Sequence, residues 1–130
     1  MVPVPILVVD DSPGRAALVS YVLTESGYEV LTARGALQAM AALQDYRPPL
    51  VLVDLQLPGR DGHALVRRLK ADPETYDTTV VGLTTYAMAD FDKQEVGCDG
   101  YLKAPLDART LPKLIKNYLL ESAARRRHDA

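Results

Sequence analysis

Leu50-Val51-Leu52-Val53-Asp54 is a run of branched apolar residues closed by one acid, and Ile6-Leu7-Val8-Val9-Asp10-Asp11 has the same design closed by two. Uninterrupted apolar runs of this length, rather than alternating ones, suit strands covered on both faces of a parallel sheet. What lies between them fits that reading. Ser12 followed by Pro13 is a helix start, Leu18, Val19, Val22 and Leu23 recur at helical spacing, and Gly27 supplies the stop. Residues 28–33 read as a second strand and 35–46 as a helix with Leu37, Met40, Ala41 and Leu43 turned inward. Pro48-Pro49 breaks the chain before the third strand.

The alternation continues downstream. A helix is expected over 63–70 through Leu65, Val66 and Leu69, a strand over 80–84, a further helix, and a strand over 100–103. A last helix from Asp107 to about Glu121 presents Leu111, Leu114, Ile115, Tyr118 and Leu119, with Pro112 tolerable only in its first turn. Residues 1–121 are expected to form the domain and 122–130 a basic tail, frayed around Arg125-Arg126-Arg127. Five strands alternating with five helices predict an α/β fold with a doubly wound five-stranded parallel sheet. Such sheets bind ligands at the carboxyl ends of their strands, where the strand order reverses. Asp10, Asp11, Asp54 and Thr84 all fall at such ends.

Composition narrows the function. With 15 Lys+Arg against 17 Asp+Glu the net charge is −2, which lacks the basic excess that would neutralise a nucleic-acid backbone, so DNA binding is not expected. No apolar run approaches the roughly 20 residues that cross a bilayer, the start of the chain lacks the pattern of a signal peptide, and Cys98 is the single cysteine. A reducing cytoplasmic setting without membrane attachment fits. Three carboxylates gathered on one edge repel one another, and a hard cation relieves that repulsion. Mg²⁺, which takes oxygen ligands and keeps several waters, is the natural candidate. Asp54 would then be the nucleophile toward a phosphoryl donor.

The order and spacing of these motifs resemble the response-regulator receiver family, from about Pro5 to Leu120. Leu7-Val8-Val9-Asp10-Asp11 is similar to its first strand and acidic pair, and the stretch from Leu52 through Asp54 to Gly62 to its phosphoacceptor strand and loop. Thr84, 30 residues past Asp54, is similar to its switch hydroxyl, with Tyr86-Ala87-Met88 following. Gly97-Cys98-Asp99-Gly100-Tyr101-Leu102 matches the approach to the last strand. The resemblance implies a flavodoxin-like receiver fold that carries a phosphoryl group on Asp54. Asp11, Asp54 and the Gln56 carbonyl would bind Mg²⁺ directly and Asp10 largely through water, while Thr84 assists and switches together with Tyr101. It further implies a sensor histidine kinase or phosphotransfer protein as donor, an output through protein binding with a homodimer left open, and a signalling module rather than an enzyme.

Taken one at a time these residues have plainer readings. An acidic pair after a strand can cap a helix, Asp54 can cap a turn, Thr84 and Tyr101 can be structural, and Cys98 an inert thiol. A haloacid-dehalogenase-type phosphohydrolase also uses a strand-end Asp but needs a second Asp two residues on, where Gln56 stands. No glycine-rich phosphate loop follows the first strand. Three departures from the family pattern stand out. Ala104 occupies the position of the family's lysine, and Lys103, one residue early, should face away because side chains alternate along a strand. Thr85 replaces a small residue. Tyr101 lies only 17 positions past Thr84, which predicts a shortened helix between them. A phosphorylatable receiver with impaired switching is expected; the alternative is a pseudo-receiver that works through binding alone. The bond before Pro105 is expected to be cis.

Overall fold

The computed structural model describes residues 3–85 and 97–129. Parallel strands bury both faces only if helices cover both. The sheet has β1 (Pro5–Val9), β2 (Glu29–Ala33), β3 (Leu50–Asp54), β4 (Thr79–Thr84) and β5 (Gly100–Lys103), every adjacent pair parallel, and the central β1, β3 and β4 are the ones buried on both faces. Their order is β2-β1-β3-β4-β5, so the chain reverses direction across the sheet between β1 and β3. The helices are α1 (Pro13–Glu25), α2 (Ala36–Tyr46), α3 (Asp61–Ala71) and α4 (Leu111–Asp129), with a 3₁₀ turn at Pro58–Arg60. The helix expected between Thr84 and Gly100, its shortening, and Tyr86-Ala87-Met88 fall outside the described residues.

Alternation along the strands divides the core in two. Leu7, Val9, Val51 and Val53 meet Ala39 and Leu43 of α2 and Leu65, Val66 and Leu69 of α3. Ile6, Val8, Leu50, Leu52, Val81 and Leu83 meet Val19 and Leu23 of α1 and Leu111 and Ile115 of α4. Losing one such side chain to Ala typically costs 2–5 kcal/mol.

The helix starts follow local chemistry. Ser12 caps α1 by accepting from the Arg15 amide, Pro13 takes the first turn, and Gly27 ends the segment at φ +97°, a conformation glycine adopts without strain. Two helix faces differ from expectation. In α2, Leu37 is 89% exposed and Ala41 is exposed, while Ala39 and Leu43 are buried. The helix begins at Ala36 after an extended Gly35, so its inward stripe is 36, 39, 40 and 43, and Leu37 falls outside it. In α1, Leu18 is half exposed, and the stripe runs 15, 19, 23. The expected frayed tail is also corrected: α4 continues as helix to Asp129, and Ser122 is buried.

Candidate functional site

β1 and β3 are neighbours at the reversal point, so the residues that close them meet. One oxygen from each of the Asp10, Asp11 and Asp54 carboxylates can be chosen so that all three lie within 4.8 Å of one another. Asp10 and Asp54 are buried, and Asp11 is exposed at the rim. The Asp10 carboxylate accepts from the Ser12 amide at 2.9 Å, which turns the chain into α1. Asp54 Oδ1 accepts from the Gln56 amide at 2.8 Å, which folds the loop after β3 back over the strand end. An all-oxygen set of this kind matches what Mg²⁺ selects.

A fourth charged group, not anticipated from the sequence, completes the cluster. The Arg15 guanidinium donates to Asp10 through Nε at 2.6 Å and Nη2 at 3.0 Å, and the same Nη2 reaches Asp54 Oδ2 at 2.9 Å. A signal was present: 15 lies on the stripe that carries the buried Val19 and Leu23, and a cation in the first turn of a helix opposes the helix dipole. An arginine at such a place needs a carboxylate near the strand ends. Burial pushes the Asp54 carboxyl above its ordinary range, assisted by the neighbouring charges of Asp10 and Asp11 and opposed by the Gln56 amide and Arg15. The hydrogen bond to Asp10 raises the Arg15 guanidinium further, against the cost of its burial.

The far side of the site comes from β4 and β5. Thr84 is buried at the end of β4, and Tyr101 is half-buried, its hydroxyl accepting from the Cys98 amide at 3.2 Å. The β4–β5 register runs unbroken from Val81 opposite Gly100 to Thr84 opposite Lys103. Without a bulge, Lys103 is exposed, while Leu102 and Ala104 face α1 and α4 and Ala104 is 9% exposed. The Ala104–Pro105 bond is cis. Thr85 is tied to the loop after β3, since the Gln56 side-chain oxygen accepts from its amide at 3.2 Å and its hydroxyl at 2.6 Å. Cys98 lies apart from this chemistry; burial pushes its thiol up to about 12, as suits an inert group.

The response regulator receiver domain model matches residues 6–116. The chain belongs to the receiver family. Over 121 residues this receiver is 39% identical to the phosphate regulon transcriptional regulatory protein PhoB of Pseudomonas aeruginosa, covering 92% of the chain and 53% of that protein. It is 30% identical to the polar-differentiation response regulator DivK of Brucella anthropi, covering 90% of the chain and 97% of that protein. The receiver thus spans about half of the first relative and nearly all of the second. Among solved structures, the chemotaxis response regulator CheY4 of Vibrio cholerae superposes with a TM-score of 0.81 at 31% identity, over 90% of this chain and 99% of that one. A CheY-like receiver domain protein from Methanospirillum hungatei gives 0.83 at 27% identity, over 95% and 99%. The receiver is therefore a two-component signalling domain, and no helix among its described residues is long and apolar enough to cross a membrane.

Proposed function

We propose that this receiver accepts a phosphoryl group on Asp54 from a sensor histidine kinase or phosphotransfer protein in the cytoplasm, and signals by binding another protein. The single observation that carries the reading is the convergence of Asp10, Asp11 and Asp54 at the β1/β3 reversal point. Asp11, Asp54 and the Gln56 carbonyl would hold Mg²⁺, with Asp10 in its water shell; the bound ion would neutralise charge on the entering phosphoryl oxygens. An Asp54 carboxylate oxygen attacks phosphorus, and the bond from phosphorus to the donor's nitrogen or oxygen breaks with its electron pair leaving on the donor. Thr84 would hydrogen-bond the phosphoryl group and Tyr101 would follow it. With only a methyl at 104, one charge-assisted hydrogen bond worth about 1.5–3 kcal/mol is missing from the switch, which weakens switching without removing metal binding. This is a signalling role, not a turnover one.

Arg15 gives specific support to a second reading. A guanidinium already bridging Asp10 and Asp54 relieves the carboxylate repulsion without a metal, as a pseudo-receiver working by binding alone would require. Incubating the protein with Mg²⁺ and acetyl phosphate and weighing it intact decides between them. An added phosphoryl mass that is absent in Asp54→Ala supports acceptance at Asp54. An unchanged mass at saturating donor supports the pseudo-receiver.

A further inference from the structure

Each Asp54 oxygen already accepts one hydrogen bond in the resting site. Oδ1 is held by the Gln56 amide and Oδ2 by Arg15 Nη2. A divalent ion that takes Asp54 as a ligand would stand beside the Arg15 guanidinium, and the two positive charges oppose one another there. The amide belongs to the folded loop and is not readily given up, whereas the guanidinium is 27% exposed and ends a flexible side chain. Its two bonds to Asp10 can persist when the one to Asp54 breaks, so Arg15 can yield Oδ2 and remain tethered within reach of the acceptor. A groove of about 450 Å³ opens beside it, lined by Arg15, Thr85, Ala104 and Pro105 among others. Arg15 is therefore the cation that shares a wall with the methyl group of Ala104.

From this placement we propose that Arg15 is the working cation of the site in the absence of a lysine at 104. At rest it holds Asp54 Oδ2 in competition with the divalent metal. Once Asp54 is modified, its released guanidinium pairs with the phosphoryl oxygens. The inference rests on the reading that Asp54 accepts a phosphoryl group, and the two halves are tested separately.

Calorimetric titration with Mg²⁺ alone tests the resting role. Arg15→Met should bind Mg²⁺ about tenfold more tightly than the wild type, the lower end of what one charge-assisted hydrogen bond is worth. Equal or weaker binding in a variant whose thermal unfolding remains cooperative overturns the competition. If Arg15→Met does not fold, Arg15→Gln, which keeps a hydrogen-bond donor without the charge, replaces it under the same criterion. Beryllofluoride, a stable phosphoryl mimic, tests the second role at saturating Mg²⁺. Arg15→Met should take it up at least tenfold more weakly, and Arg15→Met/Ala104→Lys should recover most of the loss, because a cation returns to the same groove from position 104. Unchanged uptake in Arg15→Met, or a double variant no better than the single one, overturns the phosphoryl role. A wild type that takes up no beryllofluoride overturns acceptance at Asp54 and with it the phosphoryl role, while the Mg²⁺ titration still decides the competition.

Discussion

Replacing Gly62 with Ala should damage the fold and the site together. Gly62 lies in the first turn of α3, pressed against the end of β3, and a methyl there would sit 2.4 Å from the Asp54 carbonyl oxygen, 3.2 Å from Leu55 Cα and 3.3 Å from the Asp54 carbonyl carbon. Non-bonded heavy atoms rest near 3.5 Å, so about 1 Å of separation must be found. All three neighbours are backbone, and that backbone is fixed by the Leu55 amide on Leu83 O at 2.9 Å and the Gln56 amide on Asp54 Oδ1. Either α3 lifts and loosens Leu65, Val66 and Leu69, or the end of β3 moves and takes the Asp54 carboxylate with it. Overpacking of this kind costs about 1–3 kcal/mol, and the helix propensity gained from Gly to Ala returns at most about 1 kcal/mol. Because the clash is with backbone, the upper part of the overpacking range, about 2–3 kcal/mol, applies. The expected net loss is then about 1–2 kcal/mol by urea denaturation, with Mg²⁺ affinity down at least tenfold, because Mg²⁺ tolerates little distortion of its oxygen shell. Gly14→Ala is the control. Nothing lies within 4 Å of a methyl at Gly14 in the first turn of α1, so its stability should be unchanged or slightly raised. A Gly62→Ala protein within 0.5 kcal/mol of the wild type, binding Mg²⁺ normally, would refute the close approach as the reason for glycine there.

Two other substitutions probe charge. Because burial raises the Asp54 carboxyl, its contribution to stability is present below the ordinary carboxylate value of about 3.9 and is lost as pH rises through the raised folded value. Asp54→Asn should therefore melt a few degrees higher than the wild type at pH 7, with the difference closing as pH falls below about 4; a lower melting temperature at pH 7 would contradict the assignment. Lys70 Nζ donates to Asp99 Oδ2 at 2.6 Å and to the Thr78 carbonyl at 3.0 Å, and Asp99 Oδ2 also accepts from the Val80 amide at 2.7 Å. Lys70→Met should cost about 1 kcal/mol in the urea midpoint, at the low end because both side chains are partly exposed, with Mg²⁺ affinity at the distant acidic site unchanged.

The central strands were legible because burial on both faces leaves a plain signature: β1 and β3 match their apolar runs, and the acids at their ends gave the cluster directly. Helix faces were less legible where apolar residues outnumber the places that need them. Leu37 and Ala41 of α2 have the right character but the wrong phase, since the phase is set by where Gly35 lets the helix begin. Arg15 was illegible for the opposite reason. Its character is wrong for an inward stripe, and only the position of Asp10 and Asp54 in space explains it. The Gln56–Thr85 tie was equally invisible, because neither residue type announces a partner 29 positions away.

The strand order has a dynamic corollary. β1 and β3 each have a hydrogen-bonded strand on both sides and core on both faces, so their amides should exchange with solvent only through global opening, the slowest class in the molecule. Asp10 and Asp54 thus stand on ground that does not yield when their charge changes. A charge change there should be answered at the rim, where Thr85, Lys103 and Pro105 are exposed, rather than in the two central strands.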